Sequence, residues 1–257
     1  MKMFYGNYDP GKNASVTSIP RDKTSLPGPG DVQMTVKTLF SSLSGNPGQR
    51  EFVLLTYAAP SREGYDCHAC APVIGMAVFS EEGSKWSMDA SNRSVCISGA
   101  FGNPSKNIEI VQIGRRQLAA KIIDVGGGQG ETTAVLQLLV PWRGTLNLAL
   151  QRVIGDDDQG GCGEDAGGLP CYANHRSVTF RKKETAEHYD LELELSGTDM
   201  PLSRGNPSTG ARQVGGTEIY TFQDGKYVRT SMQGDTTFLD DFVAKQKEAL
   251  RAGRAPD

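Results

Sequence analysis

TTAVLQLLVP (Thr132–Pro141) and LNLALQRVI (Leu146–Ile154), joined by WRGT (Trp142–Thr145), decide the fold together with SVTFR (Ser177–Arg181) and YDLELELS (Tyr189–Ser196). The first two runs are rich in β-branched and aliphatic residues, and the four-residue link carries a glycine where a tight hairpin needs positive φ. In the last two, apolar and polar residues alternate with the period of a half-buried strand. Four strands around an acidic, glycine-rich loop with two cysteines are therefore expected, and they form the centre of a sheet.

Working outward, the pattern stays β-rich. Glu51–Ala58, Val73–Ser80, Lys85–Met88, Ser94–Ile97, Asn107–Ile113, Gln117–Asp124, Thr217–Phe222 and Lys226–Thr230 read as strands. Asp224-Gly225 is a strong hairpin signal, and Gly75 stands alone in the middle of its strand. With 31 glycines and 13 prolines in 257 residues, many short strands and turns are expected. Two helices are expected to flank them. Val32, Val36, Leu39, Phe40 and Leu43 suit one helical face over Asp31–Leu43, and Thr237-x-x-Asp240 has the form of a capping box before an apolar stripe from Phe238 to Leu250. The expected fold is thus mainly β: antiparallel meanders, as a sandwich or propeller-like array, with an N-terminal and a C-terminal helix. Residues 1–30 read as a flexible polar segment, 31–250 as one β-rich domain and 251–257 as a frayed tail.

Composition narrows the function. Net charge is −3 and the basic residues are dispersed, Arg115-Arg116 and Arg181-Lys182-Lys183 being the largest clusters. Nucleic-acid binding is therefore not expected. No apolar run is long enough to span a membrane. No export signal is visible at the start, so an exported protein would have lost it and Met1 would not be native. A lipid anchor on a full-length form is compatible with this.

Five cysteines stand at Cys67, Cys70, Cys96, Cys162 and Cys171. A bridge between Cys162 and Cys171 would pin the glycine-rich loop, stabilising by about 2–3 kcal/mol in the loop-entropy model. For Cys67 and Cys70, in CHAC, a structural bridge is expected ahead of three alternatives: a metal site with Cys96 and His68, redox chemistry, or free thiols. The strand-like run after Ala71-Pro72 is not the helix N-terminus that activates a redox pair. An odd count leaves one thiol over.

Asp156, Asp157, Asp158, Glu164 and Asp165 crowd the same loop. Hard cations favour several such oxygens, so Asp156, Asp158, Glu164 and Asp165 are candidate Ca²⁺ ligands, against the plainer alternative of a solvated acidic turn. EF-hand spacing is missing. The glycines of Gly126–Gly130 read as a turn, because neither a helix nor G-K-[ST] follows them. His68, His175 and His188 are scattered, and no catalytic motif accompanies them.

DCHACAPVIGMAVF (Asp66–Phe79), GCGEDAGGLPCY (Gly161–Tyr172), YDLELELSGT (Tyr189–Thr198) and YTFQDGKYV (Tyr220–Val228) resemble segments of uncharacterised exported proteins of Gram-negative bacteria that carry the DCHACAP motif. At the level of fold, the meanders and acidic loop are similar to propeller-like periplasmic immunity proteins that block cell-wall hydrolases. These resemblances imply a periplasmic or cell-envelope binding protein, more an inhibitor than an enzyme, that recognises a protein partner. The alternative is a cell-envelope hydrolase or metal-dependent enzyme using residues 156–165.

Overall fold

The computed structural model describes residues 1–60, 67–128, 130–163, 171–200, 210–237 and 239–240. In chain order these carry a short helix α1 (Lys2–Tyr5) and strands β1 (Tyr8–Asp9), β2 (Ala14–Pro20), β3 (Asp31–Ser44), β4 (Glu51–Pro60), β5 (Val73–Glu82), β6 (Lys85–Ile97) and β7 (Ile108–Gln112). There follow β8 (Leu118–Gly128), β9 (Glu131–Trp142), β10 (Thr145–Asp157), β11 (Ala173–Arg181), β12 (Asp190–Asp199), β13 (Arg212–Gln223) and β14 (Lys226–Gly234).

All fourteen strands belong to one mixed sheet that does not close. β1 to β6 run as an antiparallel meander, β7 to β10 as a second and β10 to β14 as a third, with β10 shared. The first joins the rest through one parallel pairing, Ser91 with Thr145. β10 pairs with β9 along its length, but on its other side only at its two ends, with β6 and with β11 at Gly155–Asp157. Between those ends, side chains supply donors to its carbonyls: Asn92 Nδ2 reaches Leu146 O at 3.0 Å and Arg176 Nη1 reaches Val153 O at 3.2 Å. A buried carbonyl left without a donor is destabilising, so the fork is sealed by polar side chains.

The near-continuous apolar run of β9 has a structural cause, because its layer is covered on both faces. Leu136, Leu138 and Val140 enter a core with Leu191, Leu193 and Tyr220 of the third meander. Leu139 turns the other way, into a core with Val53, Leu55, Ile74 and Met76 of the first. A third core gathers Phe4, Tyr5, Ile19, Met34, Val36, Leu54 and Phe79 beneath α1.

The two expected hairpins form with the backbone their residues favour: Arg143 and Gly144 have φ of 51° and 79°, and Asp224 and Gly225 have 47° and 83°. Positive φ at both central residues matches the right-handed twist of the flanking strands. The terminal helices are not borne out. Asp31–Ser44 is strand β3, paired with β2 and β4. Spacings of four and eight are common to periods of 3.6 and of two, so Val32, Val36 and Phe40 fit either, and the β-branched residues between them favour the strand. The bulge between Thr38 and Phe40 then shifts the register. Of the C-terminal helix only Leu239 and Asp240, both helical, fall among the described residues, and its remainder lies outside them.

Two further expectations change. Residues 1–30, read as a flexible segment, carry α1, β1 and β2, and bury Phe4, Tyr5, Ala14 and Ile19. Those apolar residues are few and lie among polar ones, yet Phe4, Tyr5 and Ile19 reach the same core. Gly126–Gly128 do not turn but extend β8 against Glu131–Thr133. A Cβ on Gly127 would lie 2.0 Å from the Glu131 carbonyl, so the strand pairs there only because the side chain is missing.

Gly75 explains how α1 is seated. The Tyr5 hydroxyl hydrogen-bonds Thr56 Oγ1 at 2.8 Å, Arg93 donates twice to Phe4 O, and a Cβ on Gly75 would lie 2.7 Å from the Tyr5 hydroxyl oxygen. Burial pushes the Tyr5 phenol up to about 12. Gly75→Ala is therefore expected to displace Tyr5 and destabilise by about 1–3 kcal/mol, as overpacking does. Urea unfolding measures it, and Tyr5→Phe should partly relieve the clash in the double variant.

Candidate functional site

An apolar cavity of about 380 Å³ opens beside α1, lined by Met1, Lys2, Met3, Leu43, Phe52, Phe79 and Trp86. Its floor is rigid because Phe52, Phe79 and Trp86 lie on adjacent strands β4, β5 and β6. Phe52 packs against Phe79 at 6.0 Å between centroids and edge-on to Trp86 at 6.4 Å. Its mouth is adaptable: Met3 is 58% exposed and Leu43 54%. A hydrophobic cavity bounded by aromatic rings and flexible side chains suits an apolar group of a ligand or partner.

A partly buried ion pair lies beside Trp86. Arg50 holds Glu81 in a two-pronged ion pair, with Nε–Oε2 at 2.7 Å and Nη2–Oε1 at 2.6 Å, while Gly48 N–H donates to Oε2 at 2.7 Å. Arg50 foremost, then the Gly48 donor, keeps the Glu81 carboxyl down at about 2 despite opposing desolvation. The guanidinium also lies 5.7 Å from the Trp86 ring centroid, which orients the indole.

Both candidate bridges are formed, Cys67 to Cys70 and Cys162 to Cys171, and Cys96 is the thiol left over. Cys96 lies on β6, and burial pushes its thiol up to about 12, so it is a packed side chain that donates weakly to Gln137 Oε1. The alternative of a metal set of Cys67, Cys70, Cys96 and His68 is ruled out, because two of its sulfurs are bonded to each other.

At the acidic loop, Asp156 Oδ1 accepts from Thr133 Oγ1 at 3.2 Å, and Asp158 Oδ1 from Tyr172 N–H at 2.9 Å. Burial, with Asp199 and Glu131 adding to it, raises the Asp156 carboxyl. Glu164 and Asp165, the other proposed Ca²⁺ ligands, lie outside the described residues. Among the described residues no three His, Cys, Asp or Glu side chains are placed to hold a metal ion.

One charged assembly went unpredicted. Arg152 on β10 and Arg176 on β11 face Glu218 on β13 and Asp240 just beyond the sheet. Arg152 reaches Glu218 at 2.5 Å and Asp240 at 2.7 Å, Arg176 reaches Asp240 at 2.5 Å, and Tyr220 also donates to Glu218. Burial alone would raise Glu218, but bonds from Arg152 and Tyr220 hold it below the usual carboxylate range. Asp240 also closes the expected capping box with Thr237 through reciprocal 3.3 Å bonds. The signal available in sequence was a lone arginine in the apolar run of β10.

His188 stacks on Phe222 at 3.9 Å beside Trp142, with Nε2 buried and unpartnered. Burial lowers its pKa. The neutral ring is the folded form, so its contribution is complete above the unfolded value near 6.5 and declines as pH falls through that value. Stability is expected to drop between about pH 7 and 5.5, and the part of that slope due to His188 should vanish in His188→Phe, followed by thermal melts across the range.

No model of a protein family, no curated protein and no solved structure matches this chain. No helix among the described residues is long and apolar enough to cross a membrane.

Proposed function

We propose that this chain is a binding protein of an oxidising compartment, the periplasm or cell envelope, that takes an apolar side chain of a protein partner into the cavity beneath Trp86. The observation that carries this is the cavity itself: three aromatic rings on neighbouring strands and a methionine- and leucine-lined mouth, with the Arg50–Glu81 ion pair beside Trp86. Interface hot spots have this form, an aromatic-lined pocket ringed by polar contacts. Two disulfides support the compartment. Immunity against a secreted cell-wall hydrolase is the sharpest version, supported by the resemblance of the DCHACAP and YDLELELS segments to exported proteins.

The test is inhibition of purified muramidases and peptidoglycan amidases, followed by cell-wall turbidity and by Trp86 fluorescence. Stoichiometric inhibition by the intact protein is expected, weakened about 30-fold or more by Trp86→Ala, as for a hot-spot aromatic. Undiminished turbidity loss with every hydrolase class would overturn the immunity version. Inhibition untouched by Trp86→Ala would overturn the cavity as its seat.

A further inference from the structure

The CHAC turn is built so that its disulfide is not needed to hold it. Cys70 N–H donates to Cys67 O at 2.9 Å, and a second turn is zipped against the first, with Phe101 N–H donating to Cys67 O at 3.1 Å and Gly102 N–H to Cys70 O at 2.7 Å. Ser25 Oγ adds a bond to Ala71 O at 3.1 Å. The second turn is itself anchored, since Gly99 N–H donates to Asp124 Oδ2 at 2.9 Å and Ala100 and Asn103 exchange backbone bonds. The bridge closes a sequence separation of only 3, against 9 for Cys162 and Cys171, so it restricts the unfolded chain less. A turn that keeps its shape without the sulfur bond leaves both thiols in place to re-form it.

The two sulfurs are also unequal. Cys67 belongs to an exposed residue and Cys70 to a buried one. Beside them the second turn presents Phe101, 50% exposed and at φ 52°, with His68 edge-on to its ring at 5.1 Å. Exposed Ile97 and Val125 flank the anchoring bond, one two residues before Gly99 and the other next to Asp124. An exposed cysteine whose turn is hydrogen-bonded to that of an exposed phenylalanine suits a polypeptide better than a small hydrophilic thiol.

We propose that the Cys67–Cys70 disulfide is a thiol–disulfide exchange site that oxidises the paired thiols of a protein partner docked on Phe101. A partner thiolate attacks Cys67 Sγ, the bond to Cys70 breaks, and Cys70 leaves as a thiolate that takes a proton. The partner's second thiolate then attacks its own sulfur in the mixed disulfide and releases Cys67. The partner loses two electrons and two protons, and the CHAC pair gains both. No helix N-terminus activates this pair, so its selectivity comes from exposure and docking.

The test mixes the intact oxidised protein with a reduced peptide carrying two cysteines among apolar residues, and separately with glutathione, mapping thiols by alkylation and mass spectrometry. Expected are peptide oxidation matched by reduction of Cys67 and Cys70, a mixed disulfide on Cys67 when Cys70→Ser meets the oxidised peptide, and a slowing of about fivefold or more in Phe101→Ala with the peptide alone. The Cys67→Ser/Cys70→Ser variant should retain its β circular dichroism. The proposal is overturned if the wild-type pair stays oxidised under excess peptide, if exchange maps instead to Cys162 or Cys171, if glutathione reacts as fast as the peptide, or if loss of the bridge unfolds the chain. None of these outcomes depends on the Trp86 cavity.

Discussion

Glu218→Ala is expected to destabilise the fold by about 3–5 kcal/mol, because it takes one of two carboxylates from a partly and fully buried pair of guanidinium groups and leaves both to share Asp240. Glu218 is 3% exposed and Arg176 likewise, so water cannot replace the lost carboxylate without opening the sheet. Arg152 would keep only Asp240 as an anionic partner, and the Tyr220 hydroxyl would lose its acceptor. Urea denaturation of the variant and of wild type measures the difference. A double variant with Arg176→Met should recover part of it, since removing both partners of a buried pair is milder than removing one. A loss under about 1 kcal/mol would show that the assembly is hydrated and contributes as a surface pair does. Because Glu218 is held below the usual carboxylate range, its contribution is present above that range and is lost as pH falls through its folded value.

Leu139→Ala should come next, at about 2–5 kcal/mol. Leu139 is fully buried where the second meander packs on the first, among Val53, Leu55, Ile74 and Met76. A cavity there removes contacts from the layer that holds the meanders together, where, among the described residues, strand pairing adds only Ser91 with Thr145. Cys96 packs against the same core, so faster alkylation of its thiol should accompany the loss of stability. Leu43→Ala, at an exposed position, should change stability by no more than about 0.5 kcal/mol and leave Cys96 protected.

Strands were legible wherever local chemistry and burial agreed. Asp224-Gly225 and Arg143-Gly144 turn as their residue types favour, and YDLELELS alternates because β12 is buried on one face. Asp31–Ser44 was ambiguous because four is a multiple of two and also nearly one helical turn. Only pairing with β2 and β4 separates the alternatives. The cavity was hidden for a related reason. Phe52, Phe79 and Trp86 each look like ordinary strand residues and Leu43 like part of a helical face, and nothing local says that their side chains line one cavity. The arginines likewise gave no warning that β10, β11 and β13 would bring them to shared carboxylates.

The chain by itself determined its β class, most of its hairpins, the cysteine pairs that can close short loops, and the Thr237–Asp240 cap, because each depends on residues within about a dozen positions of one another. Tertiary structure alone decided which strands share a sheet, how β10 forks between two neighbours, where the aromatic cavity opens and which buried charges meet. Those depend on contacts between residues far apart in sequence, such as Arg152 with Glu218, whose free energy exists only once the chain has closed around them.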